Sequence, residues 1–176
     1  LTAPVTTLPS TVAAGQVVTL TGNISAVYPV TCNGTATNPA WILGTPSLRL
    51  TGQIAIRGSY GILDGLTVVG SHILSVGGNN NVIRNSDISG TLTDRQTAGL
   101  SLSGSGTVAY RNKVHHHGNV NAPDDQDAHG ISVSRTSRGI WILDNEAWAN
   151  SGDGINWNPY PYDLAGLTAI SYVFIG

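Results

Sequence analysis

Four of the chain's five histidines and three of its aspartates fall in one stretch, KVHHHGNVNAPDDQDAHGISVSR, residues 113–135. Imidazole changes charge nearest to neutral pH, and a carboxylate beside it fixes the tautomer that proton transfer needs. Two chemistries follow from these residue types. The first is metal binding: Asp124, Asp125 and Asp127 offer hard oxygens at a loop spacing suited to Ca²⁺, with Asn119 or Asn121 and backbone carbonyls completing the shell. His115, His117 and His129 would instead present nitrogens to a transition metal. A tetrahedral zinc site has less support, because there is no cysteine partner and no H-x-x-x-H on a helix. The second chemistry is a substrate groove, in which His129, His117 or Lys113 takes a proton, Asp153 partners His129, and Arg135 or Arg138 neutralises a substrate carboxylate. Plainer readings stand beside both: a solvated D-D-x-D turn, a polar HHH corner, and an Asp–His pair that closes corner hydrogen bonds.

The segments around this stretch repeat. GSYGILDGLTV, NNNVIRNSDIS, GTVAYRNKVHH and GIWILDNEAWA align on Gly65, Asn85, Asn112 and Asn145, spaced by 20, 27 and 33 residues. A constant core unit carrying loops of growing length is the mark of a solenoid. Each coil has a second strand: ILSVGG, GLSLSG, GISVSR and GINWNP. There Leu74 and Val76, Leu100 and Leu102, Ile131 and Val133, and Ile155 and Trp157 form inward pairs, with Ser75, Ser101, Ser132 and Asn156 outward. In the first strand the expected inward positions are Ile83, Ile88, Val108, Tyr110, Trp141, Leu143, Val173 and Ile175. Asn85, Asn112 and Asn145 fit corners, where an amide satisfies backbone groups and tolerates positive φ.

Parallel strands joined by polar corners, without helical periodicity, predict an all-β, right-handed parallel β-helix. One domain spans 1–176: an N-terminal cap and first coils over 1–58, then regular coils over 59–176 with an inserted loop at 113–128. Short strands are expected at WIL, LRL and IAI, and a short capping helix at about residues 6–13. Stacking places Ala98, His129 and Asp153 above one another. It also sets Asp64, Arg84, Arg111 and Asp144 in a column ahead of each corner. A pair of arginines is what a uronate carboxylate binds, and the same column also reads as a ladder of surface ion pairs. Trp148, Trp157, Tyr160 and Tyr162 gather in the last third, where exposed aromatic faces would stack on sugars and part of the cluster would enter the core.

Composition narrows the partners. Charged residues make up 10% of the chain and the net charge is −2, so nucleic acid finds no basic footprint. No apolar stretch reaches the length of a membrane span. Cys32 is the single cysteine, which excludes intrachain disulfides. Few Lys and Glu beside abundant Thr, Ser and Asn point toward a secreted or cell-surface protein. The lack of Met and the opening at Leu1 predict that a start residue and any signal peptide have been removed. SYVFIG matches the strand of a further repeat and predicts that the native polypeptide continues into more coils.

The coils resemble the pectate-lyase-like parallel β-helix superfamily. AAGQVVTLTGNIS, followed by GTATNPAWILG and GSYGILDGLTVVG, is similar to the start of alginate-lyase and chondroitinase-B-like β-helices. There a strand-rich first coil leads through a Gly-x-x-x-Asn-Pro segment, here Gly34 to Asn38–Pro39. VHHHG…DAHGISV…IWILDNEAWANSGDGI resembles secreted bacterial β-helix proteins. The resemblance covers about residues 13–176 and implies the fold, which hosts lyases, hydrolases, epimerases and adhesins alike. The fold does not name the reaction; the leading expectation is a secreted carbohydrate-active protein, a polysaccharide lyase that cleaves an acidic, uronate-containing polysaccharide by β-elimination. Ca²⁺ or Arg135 would neutralise the carboxylate, His129, His117 or Lys113 would take the proton, and Arg138, Arg111, Trp148 and Tyr160 would bind the chain. Alginate-lyase-like enzymes pair a Lys base with an Arg and a Ca²⁺ held by Asn and Glu. That set does not map here, where Glu146 is the only glutamate. Two other classes fit the same residues. One is a glycoside hydrolase using Asp127 or Asp125 with Asp153. The other is a non-catalytic surface, adhesin or filament module that binds glycans or neighbouring subunits end to end.

Overall fold

The computed structural model describes residues 3–25, 28–70, 73–92, 98–123, 127–134, 136–157 and 173–176. These residues form twenty strands and three parallel sheets, and no helix occurs among them. Sheet I contains β1 (Thr11–Ala13), β4 (Tyr28–Asn33), β7 (Ile54–Ser59), β10 (Leu74–Val76), β13 (Ala98–Leu102), β16 (His129–Val133) and β19 (Ile155–Trp157). Sheet II contains β2 (Val17–Leu20), β5 (Ala40–Gly44), β8 (Gly61–Asp64), β11 (Val82–Arg84), β14 (Val108–Tyr110), β17 (Ile140–Leu143) and β20 (Val173–Ile175). Sheet III contains β3 (Asn23–Ser25), β6 (Arg49–Thr51), β9 (Thr67–Val69), β12 (Asp87–Ser89), β15 (Lys113–His115) and β18 (Glu146–Trp148). The chain visits I, II and III in turn, and each strand pairs in parallel with its counterparts one coil away. This is a parallel β-helix.

The core is a set of apolar columns along the axis. On sheet I, Ile54, Leu74, Leu100, Ile131 and Ile155 are in register, as are Ile56, Val76, Leu102, Val133 and Trp157. The expected pairs and the outward row Ser75, Ser101, Ser132 and Asn156 therefore hold. The columns are buried from Ile54 to Val133, while Ile155 packs at the margin and Trp157 stays exposed on the last strand of the sheet. Each fully buried Leu or Ile contributes about 1.5–3 kcal/mol relative to exposure, and the columns repeat that gain once per coil. Sheet III adds Val68, Ile88 and Val114.

Sheet II departs from expectation by one residue. β11 pairs with β14 through Ile83–Ala109 and Arg84–Tyr110, and β14 with β17 through Ala109–Ile142. Ala109, Ile140 and Ile142 are the buried residues, whereas Val108, Tyr110 and Leu143 are half-buried on the outer face and Trp141 is 42% exposed. Ile83 and Ile88 are inward as expected. V-A-Y and I-W-I-L are apolar on both faces, so alternation cannot say which face is inside, and a slip of one residue inverts the strand. The corner column moves with it. Asn85, Arg111 and Asp144 share the positive-φ position (51°, 54° and 59°), and Ser86 stands beside Asn112 and Asn145. Val173 and Ile175 align with Ile140 and Ile142 in register.

The capping helix expected at residues 6–13 is absent. Val5 makes a parallel bridge to Leu20, its amide donates to the Thr19 carbonyl, and β1 pairs with β4. The backbone groups of this Pro-interrupted segment go to strand edges, which covers the edge of β2 with chain rather than with a helix. The short strands expected at WIL, LRL and IAI correspond to β5, β6 and β7.

Candidate functional site

The three corners differ in what they hold. The turn from sheet II to sheet III is tight and closed by side chains. The Leu66 amide donates to Ser86 Oγ (3.1 Å), the Ser86 amide to Asn112 Oδ1 (3.1 Å), and the Asn112 amide to Asn145 Oδ1 (2.9 Å). The turn from sheet III to sheet I carries the extra length: residues 70–73, then 90–97, then 116–128, then 149–154. The four described histidines gather around one such turn: His115 ends the strand before it, His116 and His117 lie in it, and His129 opens the strand after it.

His129 opens β16, opposite Ala98 and one coil from Asp153, as the stacking predicts. It is buried, and its Nδ1 accepts the amide N–H of Asp153 at 3.0 Å. Nδ1 is therefore unprotonated in the neutral ring and Nε2 carries the proton. Nε2 faces Asp127 Oδ1 at 3.7 Å, and Asp153 Oδ2 lies 3.7 Å from Nδ1, so one ring sits between two carboxylates. A Cβ on Gly152 would come within 2.6 Å of His129 Nδ1, and positive φ holds Asp127 at 50°. His117 is fully buried, with its ring against Gly99, where a Cβ would overlap it. Its amide and carbonyl pair with Asn150 Oδ1 and the Ser151 amide. These contacts make the corner a packed unit, with the lone pair of His129 Nδ1 already engaged.

The exposed chemistry is on the outer face of sheet III. Two outward columns run along it, Thr67–Asp87–Lys113–Glu146 and Val69–Ser89–His115–Trp148. Lys113 is thus flanked by a carboxylate on either side. His115 stacks on Trp148, with ring centroids 4.2 Å apart and planes 15° from parallel. His115 Nε2 lies 2.9 Å from Asp87 Oδ1, and its Nδ1 lies 2.6 Å from Nδ1 of His116. Residues 115 and 116 would face opposite sides of a continuing strand. His116 instead has φ +61°, which swings its ring back edge-on to His115. Beside this face, at the turn from sheet II, a cleft of about 600 Å³ is lined by Arg111, Lys113, Asp144 and Glu146 around the Asn112–Asn145 pair.

The sequence-expected residues separate into groups. His129, Asp127 and Asp153 converge, Lys113 shares its face with Trp148, and Arg111 meets Lys113 at the cleft. Arg111 also bonds Asp144 through Nε at 3.2 Å, and Arg84 grips Asp64 through Nε and Nη2 at 3.0 and 2.8 Å. The two arginines are therefore each neutralised by an aspartate and stand in different columns. Arg138 is at the turn from sheet I to sheet II, bridged to Ser105, so the length of β16, about 13 Å, separates it from the histidine corner. The trio His115, His117 and His129 does not form a metal site: His115 is on the outer face and His117 is inside. Among the described residues no three His, Cys, Asp or Glu side chains converge as ligands. Asp124, Asp125, Arg135 and Tyr160 lie outside the described residues. Asp87 and the His115–His116 contact were not legible from composition, because the first needs the pairing register and the second a left-handed residue inside H-H-H. Comparison with protein-family models, with curated proteins and with solved structures finds no match to this chain.

Proposed function

We propose that the chain is a carbohydrate-active β-helix that lays a uronate-containing polysaccharide on the outer face of sheet III and cleaves it by β-elimination. The observation that carries this reading is the placement of Lys113, His115 and Trp148 on neighbouring outward positions of β15 and β18, with β15 leading into the turn that holds His116 and His117. Trp148, 39% exposed, offers a ring for stacking on a sugar. Lys113 is the cation of this face for the carboxylate, Arg111 at the cleft being held by Asp144, and an imidazole on the same face would take the acidified proton. The aspartates of the 116–128 loop, Asp124, Asp125 and Asp127, are oxygen donors of the kind Ca²⁺ takes, and we include Ca²⁺ there as a second neutralising charge. The low charge and the Thr, Ser and Asn content support a secreted or cell-surface location.

The test is incubation with alginate, pectate and chondroitin, with Ca²⁺ or with a chelator, following the ultraviolet absorbance of the unsaturated product. Product from one of the three, lost on Lys113→Ala, is the expected result. New reducing ends without unsaturation would shift the reading to hydrolysis by Asp127 and Asp153, which flank His129. A chelator without effect would remove Ca²⁺. A second reading, a non-catalytic module that assembles with further copies, is favoured by a different observation. The outward residues Val17, Trp41, Ile62, Val82, Val108 and Trp141 form one apolar column along sheet II. Silence on all three polymers would leave that reading.

A further inference from the structure

We infer that Asp87, His115 and His116 form a proton relay that ends in a general base, Nε2 of His116. This rests on the β-elimination reading for its substrate, but the relay itself rests on geometry alone. A carboxylate cannot donate, so the 2.9 Å contact with Asp87 requires the proton of His115 on Nε2. With both rings neutral, Nδ1 of His115 is then an acceptor, and the 2.6 Å contact places the proton of His116 on Nδ1. That leaves the lone pair of His116 Nε2 on an exposed ring. The other two histidines among the described residues are both buried, and His129 Nδ1 already accepts a backbone amide. Three further features hold the relay in place. Asp87 and His115 come from adjacent coils, so their distance is set by the sheet rather than by a loop. Trp148 fixes the plane of His115. The positive φ of His116 is a strained conformation for a residue other than glycine, and it is what brings the second ring onto the first.

The step balances within these groups. Nε2 of His116 takes the proton at C5, α to the uronate carboxylate. The C5–H electron pair becomes the C4=C5 π bond, and the C4–O bond breaks. Its electron pair leaves on the glycosidic oxygen, which takes a proton from water. The positive charge gained by His116 is shared along the relay, because its Nδ1 proton can pass to Nδ1 of His115 and leave an imidazolium against Asp87. The proton returns to water and the relay resets.

The experiment reads the relay with and without a polymer, in the full chain. First, carbethoxylation by diethyl pyrocarbonate, followed at His116 by peptide mass spectrometry, reports the open Nε2. Asp87→Asn is expected to slow labelling of His116 several-fold although Asp87 does not touch it, while Asp64→Asn, on sheet II, leaves it unchanged. Equal labelling of the Asp87→Asn variant and the parent, both folded by circular dichroism, overturns the relay. Second, on whichever polymer is cleaved, His116→Ala is expected to lower kcat by about 10²–10⁴-fold with KM unchanged, and free imidazole to restore part of it. Full kcat in His116→Ala overturns the base assignment. If no polymer is cleaved but labelling responds to Asp87, the relay stands and the β-elimination reading falls.

Discussion

His116 sits where a β-carbon crowds its own backbone, at a cost of about 1–2 kcal/mol for an L-residue in the left-handed region. The equivalent positions one and two coils earlier are Gly90 and Gly70, whose amides donate to the carbonyls of His115 and Ser89 respectively, in the same ladder as the bond from the His116 amide to Trp148. A glycine at 116 would satisfy the same backbone without strain. His116→Gly is therefore expected to raise stability by about 1 kcal/mol, seen as a higher midpoint in thermal or urea unfolding, and at the same time to abolish depolymerisation. A variant that unfolds earlier and keeps its activity would contradict both the strain and the role. Cys32 shows the opposite use of a polar atom. Burial pushes its thiol up to about 11, so it remains protonated at neutral pH and behaves as a small apolar side chain in the core.

At the scale of the element, each corner depends on which amide reaches which backbone group. Asn112 is fully buried, accepts from the Ser86 amide, and donates through Nδ2 to the Ile83 carbonyl (3.1 Å) and to Asn145 Oδ1 (2.9 Å). Asn85 is exposed and reaches only Asp64 Oδ1, at 2.8 Å. Asn112→Ala removes the side-chain bonds of two buried groups, the Ser86 amide and the Ile83 carbonyl, and is expected to cost about 2–4 kcal/mol in urea unfolding, whereas Asn85→Ala stays within about 0.5 kcal/mol. Equal costs would mean that the corner column runs through Asn85, as the bare repeat suggests. The repeat does contain the strands and turns, because alternating Leu, Ile and Val on sheet I leave one face to bury. It does not contain the register of sheet II, where Val108, Ala109 and Tyr110 can face either way. The same limit hid Asp87: it is 28 residues from His115, and only the pairing of β12 with β15 makes them neighbours.

At the scale of the molecule, the three faces of the solenoid divide the work. Sheet I presents Ser75, Ser101, Ser132 and Asn156 outward, sheet III presents the relay, and sheet II presents an apolar column with the Asp64–Arg84 pair in the column beside it. Arg84 also lies over the Trp41 ring, 5.6 Å from its centroid. A patch with an anion and a cation side by side is self-complementary under a two-fold axis, and for that reason a second copy of the chain is the occupant of the assembly reading. Seven strands of three to five residues span a face of roughly 300–400 Å² at the usual strand spacing and rise, below the roughly 800 Å² per partner of a standard interface, so the association is expected to be weak. Sedimentation velocity across a concentration series is expected to show reversible dimers that Trp141→Asp abolishes without loss of folded signal. Concentration-independent monomers in the parent would end that reading.

The sequence by itself determined the parallel β-helix, the inward columns of sheet I, the stacking of Ala98, His129 and Asp153, and the corner at which the histidines collect. Those follow from a period and from alternation, which are local properties of the chain. Only the tertiary structure decided that His117 and His129 are packed inside while His115 and His116 are outside, that Arg111 and Arg84 are each neutralised by an aspartate, and that Asp87 completes a hydrogen-bonded chain. These outcomes depend on a one-residue register and on single left-handed residues. A slip of one position, or one positive φ, exchanges the inside of a strand for its outside, and nothing in the local composition records which was chosen.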